Sequence, residues 1–304
     1  LSGIAASEIS SIGCHSDLWN FELNKFSDLV INENWLNKFA PLRQANEVLG
    51  PIKQVLAQEL GLNEYIPVHA GIHDSNASLL PHLIRGERAF SVVSTGTWVV
   101  VCAPGGNLKN LDPARDSYAN IDVFGRHVPS ARFMGGREFT NLIGVEACEA
   151  DLDTIKHVLN CSWMLLPSVS QGSGPFPEMH SRMTVASKKM SEQAYHAVVS
   201  LYLAMMTNEC LDIAGASGDI IIEGPFVKNN LFLQSLQAAS GRRVLAQKSN
   251  RTGTSIGAAL LAKNPMHGMP LVAPEEVSYG LQTEMAAYAQ KWRAATKEAL
   301  NKIL

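Results

Sequence analysis

With 304 residues, 46% of them hydrophobic and 17% charged, the chain holds enough apolar material for one large core or two ordinary ones, which excludes disorder. A formal net charge of −3 at pH 7, with no basic run, leaves no footprint for nucleic acid. The longest apolar runs, such as Trp98–Ala103, are too short to cross a bilayer, so no membrane partner is expected. Five scattered cysteines (Cys14, Cys102, Cys148, Cys161, Cys210) show neither a disulfide framework nor C-x-x-C spacing, which predicts reduced thiols and a cytoplasmic location.

Residues 1–43 carry few strong signals and read as loops and short helices. Val48–Gly50 is a short apolar run, and Pro51 suits the first position of a helix. Ile52, Val55, Leu56, Glu59 and Leu60 follow helical spacing up to a stop at Gly61. Tyr65–Ala70 reads as a strand, Gly71 opens a turn, and a short helix runs from Asp74 or Ser75 to Leu80, ended or kinked at Pro81. Ala89–Val93 and Trp98–Cys102 form a hairpin around Ser94–Thr97. Asp112–Arg132 is turn-rich, with a second hairpin near Phe124-Gly125-Arg126. Gly135-Gly136 precede a helix over Glu138–Ala147. Leu165–Pro175 is a short strand entering a loop, and Pro175–Met183 is expected to be exposed. A long helix is predicted within Ser191–Ala216, a buried strand at Ile220–Ile222, a helix from Asn229 to Ala239 stopped at Gly241, and a strand at Val244–Ala246. A small-residue helix, Thr254–Ala262, and an amphipathic helix, Glu284–Leu300, complete an α/β order in which ligands belong at strand ends.

Asp74 ends a strand-turn and could take a proton from an attacking hydroxyl, or could simply cap the following helix. His73 could bind substrate or, with His69 and Asp74, a metal, which makes a metal-dependent hydrolase the rival reading. Ser94-Thr95-Gly96-Thr97 could cradle phosphate or be an ordinary hairpin turn. Glu223-Gly224 and Asn229 could receive a nucleotide at a strand end and helix start, or be a plain βα loop. The chain contains no P-loop, nucleophile elbow or complete G-x-G-x-x-G.

The order of these segments resembles the FGGY family of carbohydrate kinases. Val48–Ala77, with G-I-H-D at 71–74, is similar to the end of that family's first lobe, where a G-x-x-D turn carries the catalytic base. The S-T-G-T-W of 94–98 resembles its phosphate turn, F-M-G-G-R-E of 133–138 its next nucleotide segment, E-G-P-F-V-K-N-N-L-F-L of 223–233 its adenosine motif, and T-S-I-G-A-A-L-L-A of 254–262 the small-residue helix closing the pocket. The H-D and S-T-G-T-W wording is closer to the rhamnulose- and fuculose-type kinases than to glycerol kinases. The resemblance implies an actin-like (ribonuclease H-like) two-lobed ATPase fold, with a sugar lobe over 1–86, a nucleotide lobe over 87–304 and the boundary at Arg85–Arg88. It implies phosphorylation by ATP and Mg²⁺ of a ketose such as a deoxyketohexose, or of a polyol, with a homodimer as the candidate assembly. Asp74 takes the role of base, and His73 and Ser75 those of sugar contacts. Thr95, Gly96, Thr97, Gly135, Gly136, Gly224 and Asn229 would bind nucleotide, and no residue is assigned to a metal. Pro225 stands where the family pattern has a second glycine. The family's N-terminal D-x-G-T hairpin does not occur before Val48, so the first lobe is expected to be incomplete. A non-catalytic nucleotide-binding fragment is the alternative.

Overall fold

The computed structural model describes residues 1–14, 16–85, 89–144, 148–248, 253–263, 273–278 and 280–303. The first part of the chain forms α1 (Ile9–Ile12), β1 (Trp19–Asn20), β2 (Lys25–Phe26), α2 (Asp28–Asn32), β3 (Val48–Pro51), α3 (Gln54–Leu60), β4 (Pro67–His69) and α4 (Asp74–Arg85). Then follow β5 (Phe90–Thr95), β6 (Val99–Cys102), β7 (Ser117–Ile121), β8 (His127–Phe133), α5 (Gly135–Ile143), α6 (Leu152–Asn160), β9 (Leu165–Leu166) and β10 (Arg182–Met183). The last part holds α7 (Glu192–Ile213), β11 (Asp219–Glu223), α8 (Asn230–Ser240), β12 (Val244–Ala246), α9 (Gly253–Leu261), β13 (Glu275–Glu276) and α10 (Gln282–Asn301). The chain divides into two compact units. One contains Leu1–Glu87, Ala119–Val128 and Ser249–Val272; the other contains Arg88–Tyr118, Pro129–Lys248 and Ala273–Leu304. Of the expected boundary segment Arg85–Arg88, residues 86–88 lie outside the described residues.

In the first unit β3 and β4 pair antiparallel, Val48 opposite His69 and Pro51 opposite Pro67. Pro51 therefore ends a strand instead of opening a helix. Proline is tolerated at a strand terminus, where its missing N–H is not needed by the ladder. Helix α3 starts later, at Gln54, and stops as expected at Gly61, which takes φ +64°. Helix α4 does not end near Leu80 but runs through Pro81 to Arg85. Pro81 cannot donate to the carbonyl of Ala77 four residues back. That carbonyl is covered from α9, where a Cβ added to Gly257 would stand 1.8 Å from Ala77 O. The hydroxyls of Ser78 and Thr254 also meet across the same pair of helices at 2.7 Å. The small residues of α9 thus serve a close helix–helix contact, sealed by Ala45, Leu80, Leu260 and Leu261. A separate cluster gathers Ile12, Trp19 and Ile121, with Phe21, Phe26 and Phe39 around them.

The second unit is built on a sheet of order β13-β12-β11-β5-β6-β8-β7. Strand β11 lies between β5 and β12 and is parallel to both. The β5–β6 and β6–β8 pairs are antiparallel. The Ile220–Ile222 run is buried, as a central strand with both faces covered requires. Helix α7 is buried along nearly its whole length, which explains an apolar sequence with no polar stripe. It starts at the Ser191 cap, whose hydroxyl accepts the Ala194 N–H. Helix α10 packs with the polar tips of its two buried aromatics satisfied: Tyr288 donates to Trp163 O at 2.9 Å and Trp292 to Leu165 O at 2.8 Å.

Two expectations for this unit need correction. The segment Pro175–Met183 is not simply exposed, because Phe176 and Met179 are buried and Phe176 meets the Trp292 ring edge-on at 6.2 Å. The loop is tied down by Arg115, which donates to Pro175 O, and by Asp116, which accepts the Gly174 N–H. Helix α5 starts at Gly135, so both glycines lie inside its first turn, and it ends at Gly144. Residues 145–147, the expected end of that helix, lie outside the described residues.

Candidate active site

In the second unit the turn between β5 and β6 is the organising feature. The Gly96 N–H donates to Trp98 O at 2.9 Å, closing the hairpin that the hydroxyl-glycine sequence predicts. Thr95 is buried, and its hydroxyl donates to Glu223 O at 2.5 Å while accepting the Phe226 N–H at 3.1 Å. One threonine thereby bolts the β5 end to the β11 end. Gly224 lies beside it with φ +88°, and a Cβ there would stand 2.0 Å from Thr95 O. On the other side, Gly136 in α5 approaches the turn so closely that a Cβ would stand 1.7 Å from Gly96 O. The Arg137 N–H then donates to Thr97 O at 3.1 Å. Glycine at these two positions is a packing requirement, since backbone meets backbone.

Those contacts frame a cavity of about 630 Å³. Of the residues nominated from sequence, Gly96, Thr97, Gly136 and Asn229 line it, whereas Thr95, Gly135 and Gly224 stand behind its wall. Asn229 also caps α8, accepting the Phe232 N–H at 3.0 Å, and its amide donates to Ser200 Oγ at 2.9 Å. The rest of the lining was not read from the sequence. Phe139 and Phe226 meet edge-to-face at 5.7 Å, His196 packs edge-on to Phe139 at 5.8 Å, and Arg137 and Lys228 supply cations. Pro225, in place of the expected glycine, contributes its ring to the wall and has no N–H to offer. The carboxyl of Glu138, one residue from the wall, is buried and accepts from Tyr202 Oη at 2.9 Å and Ser170 N at 3.0 Å. Burial pushes its pKa up, and those two donors offset part of the rise. Burial also lowers the pKa of His196, opposed by the nearby Glu149 carboxylate.

In the first unit Gly71 takes φ +91°, turning the chain from β4 toward α4. Asp74 is the first residue of α4 and its side chain is 77% exposed. Its Oδ1 accepts the Ser75 N–H at 2.6 Å and lies 3.1 Å from His73 Nδ1. Oδ1 thus serves the start of the helix, and Oδ2 makes no hydrogen bond among the described residues. His69 Nδ1 lies 2.8 Å from the Asn46 carbonyl oxygen. Among the described residues no group of three or more His, Cys, Asp or Glu side chains converges to hold a metal ion, so the His69/His73/Asp74 hydrolase reading has no geometric support. No helix among the described residues is long and apolar enough to cross a membrane.

A parallel β-α-β core extended by antiparallel strands, with glycine turns at strand ends facing a cavity, is the α/β architecture of actin-like ATPases. The chain belongs to the FGGY carbohydrate kinases: the family model described as "Carbohydrate kinase FGGY, C-terminal domain" matches residues 87–270. The solved structure of a carbohydrate kinase from Novosphingobium aromaticivorans is 32% identical, with a TM-score of 0.86 over 98% of this chain and 66% of that one. A gluconate kinase from Lactobacillus acidophilus is 14% identical, with a TM-score of 0.81 over 100% of this chain and 65% of that one. The Plasmodium falciparum glycerol kinase with ADP is also 14% identical, with a TM-score of 0.73 over 98% of this chain and 64% of that one. The two more distant structures share the fold. The chain spans just under two thirds of the length of these kinases. No curated protein sequence matches it.

Proposed function

We propose that this chain is the base-bearing and nucleotide-binding part of an ATP-dependent sugar kinase acting on a hydroxyl of a ketose, such as a deoxyketohexose, or of a polyol. The observation that carries the reading is the convergence of Gly96, Thr97, Gly136 and Asn229, from three separate motifs, on one cavity. The proposal divides the chain into a sugar lobe over 1–86 and a nucleotide lobe over 87–304. Phosphates would lie against the Gly96–Thr97 turn and the start of α5, where orphan N–H groups and the helix dipole favour anions. Arg137 and Lys228 add positive charge to the same lining. The base would lie along Phe139 and Phe226, whose faces suit a flat ring. Thr95, Gly135 and Gly224 act by holding the turn, because the Thr95 hydroxyl already serves two backbone groups.

Asp74 is the general base in this proposal. Its Oδ2 takes the proton as the sugar oxygen attacks the γ-phosphorus, while Oδ1 stays bound to the α4 start. His73 and Ser75 flank it as sugar contacts, with His73 Nδ1 steadying the carboxylate. Mg²⁺ keeps most of its waters and binds through one or two carboxylates plus substrate phosphates, which suits a chain without an all-protein cage among its described residues. When bound, it would neutralise charge on the transferring phosphate.

The test is sugar-dependent ATP consumption over a panel of ketoses and polyols, for the full gene product and its Asp74→Asn variant. Positioned bases contribute about 10²–10⁴-fold, so the variant should lose at least about 100-fold in kcat. Sugar-independent turnover, or an unaffected variant, would sink the kinase assignment and leave a nucleotide-binding module.

A further inference from the structure

Helix α7 runs through the core with nearly every position apolar and packed, and His196 in its second turn breaks that pattern. The residue is 5% exposed, yet its ring lines the cavity. Nδ1 is shut off from water and has no hydrogen-bond partner among the described residues. Among the other polar members of the buried stretch of α7, Thr207 donates to Leu203 O and Ser200 receives the Asn229 amide, while Asn208 Oδ1 is also unpaired among the described residues but does not line this cavity. A buried polar atom left unpaired costs stability, so a histidine kept only for packing would be better replaced by an apolar ring. The ring is held upright by its edge contact with Phe139, next to the Phe226 ring.

We infer that His196 is the base-reading residue of this cavity, pairing through its imidazole with a ring nitrogen or exocyclic group of the nucleotide base. The inference rests on the nucleotide reading of the cavity. The Glu149 carboxylate also lines the cavity and can only accept, which favours a base bearing an exocyclic amine. Burial keeps the imidazole neutral, so it offers one donor and one acceptor, as an edge-on contact to a purine requires. In the proposed reading Arg137, Lys228, Gly96 and Thr97, which line the same cavity, would meet phosphate.

The experiment compares calorimetric binding of ADP and of inorganic tripolyphosphate to the wild type, His196→Phe, His196→Asn and Gly136→Ala, with the unfolding midpoint of each ligand-free protein. His196→Phe should weaken ADP about tenfold, the loss of one hydrogen bond to a buried ligand group. It should leave tripolyphosphate unchanged and raise the unfolding midpoint, because the unpaired nitrogen is gone. His196→Asn, which restores a donor and an acceptor, should bind ADP within about threefold of wild type. Equal weakening of both ligands by His196→Phe, or a lowered midpoint with unchanged ADP affinity, marks a merely structural residue and overturns the inference. If Gly136→Ala loses ADP while His196→Phe keeps it at full strength, only the base-reading role falls. If ADP binds equally to all four proteins, or to none, the cavity assignment itself falls and takes this inference with it.

Discussion

Gly136→Ala is the most direct test of the site's construction. The added methyl would stand 1.7 Å from Gly96 O, 2.7 Å from Gly96 C and 3.2 Å from Thr97 N. All three are backbone atoms of the β5–β6 turn, so no side chain can rotate away. Reaching an ordinary contact requires the turn or α5 to retreat by roughly 1.8 Å, given that packed heavy atoms sit about 3.5 Å apart. A shift of that size breaks the 3.1 Å bond from Arg137 N–H to Thr97 O. Forced overpacking costs about 1–3 kcal/mol and a lost hydrogen bond about 0.5–1.5 kcal/mol, so stability should fall by about 1.5–4.5 kcal/mol. The Gly96–Thr97 end of the cavity opens by the same movement, and misplacement near 1 Å can cost about 100-fold in function. The assay pairs chemical denaturation with ADP titration. An alanine variant that unfolds at the wild-type denaturant concentration and binds ADP normally would refute the close approach of turn and helix.

Three further outcomes follow from the same geometry. Thr95→Val keeps the shape of the side chain but strands Glu223 O and the Phe226 N–H, and should cost about 1–3 kcal/mol by denaturant unfolding; a neutral result would show that the bolt is not needed. Asp74→Asn should abolish sugar-dependent turnover while leaving ADP affinity within about twofold, since its carboxylate is exposed and makes only local bonds; loss of ADP binding would remove it from the base role. Glu138 has a folded pKa raised by burial, so its contribution to stability is fully present below the unfolded carboxyl pKa and is lost as pH rises through the folded value. Unfolding midpoints of the wild type should therefore drop relative to Glu138→Gln as pH rises from about 4, the ordinary carboxyl range. A difference that stays constant from about pH 4 to 8 would contradict this.

Local chemistry made much of the frame readable. Asn229 followed by an apolar stretch and Gly241 marks α8 from cap to stop, and the structure uses both residues that way. The β5–β6 hairpin and the Gly71 turn were equally plain, because apolar strands ending in glycine leave few other conformations. Pro81 misled for the opposite reason. The helix continues through the proline where α9 packs against α4 at Ala77, a contact between residues far apart in sequence. Phe176 and Met179 lie in a loop rich in glycine and proline, and what buries them is α10 and its Trp292, again distant in the chain.

The cavity divides along the same line. Gly136 and Gly224 read as places where a ligand approaches the backbone, but what approaches them is the protein: Gly96 O in one case and Thr95 O in the other. A Cβ at either would break the wall before any ligand arrived. The motif residues therefore specify the scaffold, which is why they stand at fixed spacing and can be recognised. Phe139, His196, Arg137 and Lys228, which face the cavity beside Gly96 and Thr97, are free of that backbone constraint. No glycine-type spacing rule marks these side chains, so no local pattern announces them. His196 did leave one trace in the sequence, a histidine among apolar residues in a helix buried along nearly its whole length. In such a helix the informative residue is the one that burial penalises, because its presence there has to be matched by a partner that offsets the cost.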